Sequence, residues 1–365
     1  MPIAELGYRH WEGKRTGPFR RAMAIARSEI AIAFGGSKIL RRFLVLAWVP
    51  ILYFCPFFLA VGYVADPNND LDSGAILTEI ATDFLSRDAI ALLRAHPELF
   101  LPPIWSIAFY FFFAYTGSLF AMIVVAIVGP PLISKDLRSK AFLVYYSKPI
   151  RPWQYLLGKL ATVVFFIFTL TLFPGLLLYL VGVGLSPDFN TLAATLPIIL
   201  QVVGSSLVIA VPVSLVALFL SSLTKDRRIA TFSWMALWVF GEVAFRILAA
   251  ASNFSTQAET PAWASALSIR ELTTRATSGV FDVRGNLEDV FLRLGDSGDR
   301  LSHVVRGMAA DMGEARFADV RLRDTEVLDI VAGGFSPVIA TGLLALISIV
   351  TGLFILRRST KPVRI

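Results

Sequence analysis

Residues 99–134 read LFLPPIWSIAFYFFFAYTGSLFAMIVVAIVGPPLIS, without one Asp, Glu, Lys or Arg. A helix needs about 20 apolar residues to cross the hydrocarbon of a bilayer, so this run predicts a membrane span. Four more uncharged runs flank it in sequence: Phe43–Ala65, Leu160–Pro187, Phe189–Thr224 and Ile330–Leu356. A sixth apolar run, Ile229–Ala251, is interrupted only by Glu242 and Arg246. The expected fold is therefore an all-α membrane protein with six transmembrane helices.

Composition agrees. Of 365 residues, 56% are hydrophobic and 17% charged, and the mean hydropathy is +0.67. Soluble domains sit nearer 45–50% apolar and about 25% charged. That excludes a soluble enzyme, a disordered chain and a disulfide-stapled secreted domain. The single cysteine, Cys55, lies inside an apolar run. Residues 1–42 are polar and basic and do not resemble a cleaved signal peptide.

The charges between the runs set an orientation. With six spans both termini share one side, together with the 132–159 loop and the short Ser221–Arg228 loop. That side holds 22 of the 34 basic residues, including every lysine. The opposite segments, 66–103, the turn near Asp188 and 252–329, are each net acidic. The basic side is read as cytoplasmic and the membrane as the plasma (inner) membrane. The pI near 9.6 then reflects topology and contact with anionic membrane lipids. No basic module stands apart from the spans, so no nucleic-acid partner is expected.

The chain divides into a cytoplasmic arm and entry helix (1–42), spans one to five (43–251), an extracytoplasmic segment (252–335), span six (336–356) and a tail (357–365). Within 18–42, Phe19, Met23, Ile30 and Phe34 recur at near-helical spacing beside Arg20, Arg21 and Arg27. This predicts an N-terminal amphipathic helix in the headgroup plane, turning at Gly35-Gly36; a disordered arm is the alternative. Ile76, Leu77, Ile80, Phe84 and Leu85 predict a helix in the first outer loop, with Pro97, Pro102 and Pro103 ending any helix before span two. The segment before span six is too long for a structureless connection. It predicts helices near Trp263–Arg275, Leu287–Leu294 (capped by Asn286) and Leu301–Met312, with a turn at Gly295–Gly298, forming a small helical cap on the outer face. Pro50, Pro56, Pro174, Pro197 and Pro212 predict kinks, of a kind found in both moving and static spans. Ser206, Ala210 and Ser214 form a small-residue seam.

Tests for an enzyme fail. His10, His96 and His303 lie outside the spans, no Asp lies inside one, and no GxxxxGK[ST] loop occurs. No catalytic residue, cofactor or metal site is expected in the chain. Glu242 and Arg246 lie four residues apart on one helix face, the carboxylate just past the midplane and the guanidinium close enough to the outer surface to snorkel. They form either a polar lining for a substrate path or a self-neutralising pair that locks packing.

The longest cytoplasmic connection reads ISKDLRSKAFLVYYSKPIRPWQYLLGK over residues 133–159. Ser134–Tyr146 predicts a short helix presenting Leu137, Phe142 and Tyr145, stopped by Pro149 and Pro152. Charge alone would make it an ordinary positive-inside loop. Its order, an acidic helix start at Asp136, a turn at Pro149, Ile150 and Arg151, then Gly158-Lys159 leading into span three, resembles the cytoplasmic loop of ABC-2 type transporter permeases. The stretch Ile25–Ile30 followed by Arg41-Arg42 is similar to that family's entry helix. Ser139-Lys140-Ala141 stands where the family carries a smaller Gly-Thr-Leu-like step. The resemblance implies an export permease with two six-span subunits, either a homodimer or a pair with a second permease. Two copies of a separate ABC ATPase, which binds the ATP and Mg, would dock from the cytoplasm. Lys135, Asp136, Leu137, Arg138, Phe142, Tyr145 and Tyr146 would form the coupling element, with Lys225, Asp226 and Arg227 as a second contact. The alternatives are a permease-like subunit that transmits ATP-driven motion to an envelope assembly, and an ion-coupled carrier or channel. The last would need ionisable groups at the midplane of several spans.

Overall fold

The computed structural model describes residues 17–85, 87–141, 150–184, 189–254, 262–294 and 336–360. Among these every regular element is helical. Six helical stretches are long and apolar enough to cross a membrane: Lys38–Ala65, Pro97–Tyr115, Pro152–Val183, Phe189–Leu223, Arg227–Ala249 and Pro337–Arg358.

Span one is two helices, α2 (Lys38–Leu46) and α3 (Val49–Ala65), broken at Ala47-Trp48. Pro50 lacks the N–H that a continuous helix would need, and sits instead in the first turn of α3, where that donor is dispensable. Span three is likewise α8 (Pro152–Phe168) and α9 (Leu172–Val183), with Pro174 in the first turn of α9. The two breaks are fastened together: the Trp48 indole N–H donates to the Thr169 carbonyl at 3.0 Å.

Span two is longer than its sequence predicts. Helix α6 (Pro97–Tyr115) passes through a π-helical turn (Thr116–Phe120) into α7 (Ala121–Ser139). At 1.5 Å per residue the whole run is about 64 Å long. The prolines expected to end a helix before this span lie within it. Pro97 occupies the first turn, and Pro102 and Pro103 lie soon after. The carbonyls they leave unbonded belong to Glu98 and Leu99, at the half-exposed start of the helix where the loss is mild. Of the helix expected over Ser134–Tyr146, only residues up to 141 are described. Residues 134–139 are the last turns of α7, which stops at Lys140 in the left-handed conformation (φ 55°). Phe142, Tyr145, Tyr146 and Pro149 lie outside the described residues.

Spans two and four are the most enclosed. Helix α10 (Phe189–Leu223) is the hub, packing against α6, α7, α8, α9, α11 (Arg227–Phe254) and α14 (Pro337–Thr360). Its seam residues Ser206, Ala210 and Ser214 are fully buried. Spans five and six are mostly uncovered by the chain itself. The first loop between spans forms α4 (Ala75–Phe84), as its apolar stripe predicts, and a second helix, α5 (Arg87–Ala95). Arg94 of α5 donates to the Pro67 and Asn69 carbonyls at 2.8 and 2.7 Å, pinning the turn that follows α3.

Helix α1 (Pro18–Gly36) packs lengthwise along α8. Its contacts step in register along α8: Phe19 meets Trp153, Ala22 meets Gly158, and Phe34 meets Phe166. The cause is its small-residue face. Ala22 and Ala26 are buried against α8, while Phe19 and Met23 of the predicted apolar stripe are exposed. Small residues let helix backbones approach closely along their length.

Of the segment before span six, the described part, 262–294, packs among the spans. A 3₁₀ turn (Ala262–Leu267) leads into α12 (Ile269–Val280), which lies between α10, α11, α14 and α6. Leu272 and Ala276 pack with Ala340 and Leu344 of α14. Phe281 then stacks on Phe109 and touches Phe113, deep in span two. Together the turn and α12 form a re-entrant hairpin. Helix α13 (Val283–Leu294) begins before Asn286, which therefore sits inside the helix, its side-chain amide on the Phe281 carbonyl at 2.6 Å. The expected helix at Leu301–Met312 lies outside the described residues.

Candidate functional site

At one end of the bundle lie the first turns of α8, the last turn of α7 and the turn between α10 and α11; this is the basic end. Two groups of charged side chains stand out, one at this end and one within span five.

The first joins three helices. Lys159 of α8 is fully buried. Its Nζ lies 2.6 Å from Glu29 Oε1 of α1 and 2.7 Å from Asp136 Oδ2 of α7. The Tyr155 hydroxyl donates to the same Asp136 oxygen at 2.7 Å, and the Lys159 ammonium lies 5.3 Å from the centre of the Tyr155 ring. One cation is thus shared by two carboxylates, one of which also accepts a phenol. Removed from water, such charges are tolerable only when paired and hydrogen-bonded.

Gly158 makes the cluster possible. A Cβ there would lie 2.8 Å from the Ala22 carbonyl oxygen and 2.8 Å from Ile25 Cβ. The bare glycine lets α1 come close enough for Glu29 to reach Lys159. Gly158→Val should force α1 away, at an overpacking cost of about 1–3 kcal/mol. Limited trypsin digestion checks this, with faster cleavage expected at Arg20 and Arg27 of α1 while the other spans stay protected.

Sequence reasoning places Asp136 on an outward coupling surface; the structure turns its carboxylate inward. Lys135 and Arg138 are exposed and Leu137 is half-buried, packed against the core. Ile150 is half-buried and Arg151 exposed, the latter at the N-cap of α8 where its amide donates to Gln154 Oε1 at 3.1 Å. Lys225, Asp226 and Arg227 are exposed at the same end, and Asp226 Oδ1 accepts from the Arg228 amide at 2.8 Å. Glu29 and Tyr155 are the residues sequence reasoning missed. Glu29 carried a signal: it is the only acidic residue between Glu12 and Asp66.

The second group ties span five to the re-entrant hairpin. Glu242 Oε1 accepts from Arg246 Nε at 2.8 Å and Arg270 Nη1 at 2.5 Å, and its Oε2 accepts from the Ser268 hydroxyl at 2.9 Å. The same hydroxyl caps α12 by accepting from the Glu271 amide at 3.1 Å. Gly241 permits the approach, since a Cβ there would lie 2.5 Å from the Leu267 carbonyl oxygen. Glu242 and Arg246 are therefore part of a larger set, whose carboxylate is engaged by both guanidiniums and a hydroxyl. Among the described residues no group of three His, Cys, Asp or Glu side chains could hold a metal ion.

Compared with protein-family models, with curated proteins and with solved structures, the chain matches none.

Proposed function

We propose that this chain is the membrane-spanning subunit of an ABC-2 type ATP-driven transporter, working as an exporter whose fuel is hydrolysed by a separate ATPase. One observation carries the reading. Asp136 and Gly158-Lys159, at opposite ends of the loop that resembles the ABC-2 permeases, meet each other and the entry helix α1 in one buried cluster. Its neighbours Lys135 and Arg138 face outward, at the same end as the exposed turn Lys225–Arg227. Those basic surfaces suit an acidic cleft on a docked subunit, and a chain without a P-loop needs such a partner.

In this reading the basic end faces the cytoplasm at the plasma (inner) membrane, with both termini on that side. Two copies of the ATPase grip two six-span subunits, identical or paired, and membrane lipids surround them. ATP and Mg belong to the ATPase; the chain itself has no catalytic role.

The test separates docking from folding. The chain is co-expressed and purified with a candidate Walker-A ATPase from the same genome and reconstituted in lipid. Lys135→Glu with Arg138→Glu should weaken association about tenfold at low ionic strength, because exposed interface charges act mainly on encounter. The unfolding midpoint of the isolated chain should not move. Steady solute flux driven by a proton or sodium gradient, without nucleotide, would refute the proposal.

A further inference from the structure

Helix α7 contains the sequence Gly129-Pro130-Pro131, and both prolines lie inside it. Each removes a backbone donor, so the ladder is weakened one turn before the segment that carries Lys135, Asp136 and Arg138. The carbonyls left without a donor are those of Ala126, which the Thr231 hydroxyl meets at 3.5 Å, and Ile127; just beyond them a side chain from another span takes hold of the helix. The Ser221 hydroxyl of α10 donates to the Pro130 carbonyl at 2.5 Å. It accepts from the Ile133 amide at 3.1 Å and the Ser134 amide at 3.0 Å. A hydroxyl has one donor and two acceptor positions, and here all three are used. The Pro130 carbonyl also receives the Ser134 hydroxyl at 2.6 Å, which fills both of its lone pairs.

The neighbourhood holds this junction in place. Ser221 and Ser134 are fully buried. One turn earlier, a Cβ on Gly129 would lie 3.0 Å from Ala217 Cβ, so α7 and α10 are in close contact there. Four residues beyond Ser221 begins the exposed turn Lys225–Arg227. Both exposed basic segments of this end are therefore tied, within a few residues, to one hydroxyl.

We infer that Ser221 is a positioning residue that clamps the turn following the proline-weakened stretch of α7 to α10, making residues 126–131 a hinge that α10 holds shut. While the clamp is made, Asp136 is held in line with the body of span two. When α10 shifts relative to α7, two amides and a carbonyl lose their shared partner together, and residues 132–139 are released to swing. This goes beyond the transporter reading and stands without it, because it concerns the isolated chain.

Hydrogen–deuterium exchange on the full chain in lipid nanodiscs tests the inference without nucleotide or partner. Ser221→Ala should speed exchange of the amides at 133–139 about tenfold, the factor for one lost hydrogen bond, and leave those at 104–115 unchanged. Ser221→Cys, which keeps a weak donor and acceptor, should fall between. Pro130→Ala with Pro131→Ala, which returns donors to the Ala126 and Ile127 carbonyls and stiffens the hinge, should lessen the effect of Ser221→Ala. Unchanged exchange at 133–139 in Ser221→Ala overturns the inference. So does faster exchange spread evenly over α6 and α10, or a failure of the proline replacements to rescue.

Discussion

Lys159→Met destabilises the protein by about 3–5 kcal/mol, the range for removing one partner of a buried ion pair. The substitution keeps the length and apolar stem of the side chain, so packing is little changed. What it leaves is two carboxylates, Glu29 and Asp136, whose shared cation at 2.6 and 2.7 Å is gone. The thermal unfolding midpoint of the purified protein should fall sharply. Glu29→Gln with Asp136→Asn in the same chain should recover most of the loss, since an uncharged set in a buried site is often neutral or better. Lys159→Arg should not substitute fully, because a planar guanidinium does not fit where a compact ammonium lies between two helices. A Lys159→Met protein as stable as its parent would show that the cluster carries no energy.

The second large effect is expected at Glu242. Glu242→Ala deprives Arg246 and Arg270 of the carboxylate that both bind, within a span, where charge is costly. The loss should again be about 3–5 kcal/mol, but its local signature differs. The re-entrant hairpin is anchored to span five through Ser268 and Arg270, so residues 262–280 should exchange amide hydrogens faster while α7 and α8 do not. In a double-mutant cycle Glu242 and Arg270 should couple by about 0.5–3 kcal/mol, as groups in one network do. Additivity between them would show that the contact is incidental.

The six spans were legible because absence of charge over more than about 20 residues has few readings. The details failed where spacing in sequence does not report on neighbours in space. Of the apolar stripe on α1, Ile30 and Phe34 pack against the core while Phe19 and Met23 stay exposed, and Ala22 and Ala26 face α8, because closeness to Gly158 favours small side chains over large ones. Asp136 reads as a surface acid of a basic loop. Nothing in the order of residues announces that Lys159 and Tyr155 fold back to bury it.

The re-entrant helix shows the same limit from the other side. Its sequence, IRELTTRATSGV, has the polarity of an exposed helix. It is buried because its charges are matched within it and beside it: Arg275 pairs with Glu271 at 2.6 Å, and Arg270 with Glu242. A helix that brings its own counter-ions can lie among apolar spans, and composition alone does not distinguish it from one in water. Prolines were misread for a related reason. Their cost depends on whether the freed carbonyl finds water or a side chain, as Thr231 provides for the Ala126 carbonyl freed by Pro130.

The long run of span two has a mechanical consequence. Its π-turn, Thr116–Phe120, is centred halfway between Pro97 and Ser139. At that midpoint Gly117 comes so close to α10 that a Cβ would lie 2.9 Å from Ile209 Cδ1. While the Ser221 clamp keeps the lower arm straight, the arrangement is a see-saw with its fulcrum at the centre. With arms of about 32 Å on either side, a tilt of about 10° carries the two tips roughly 5–6 Å in opposite directions.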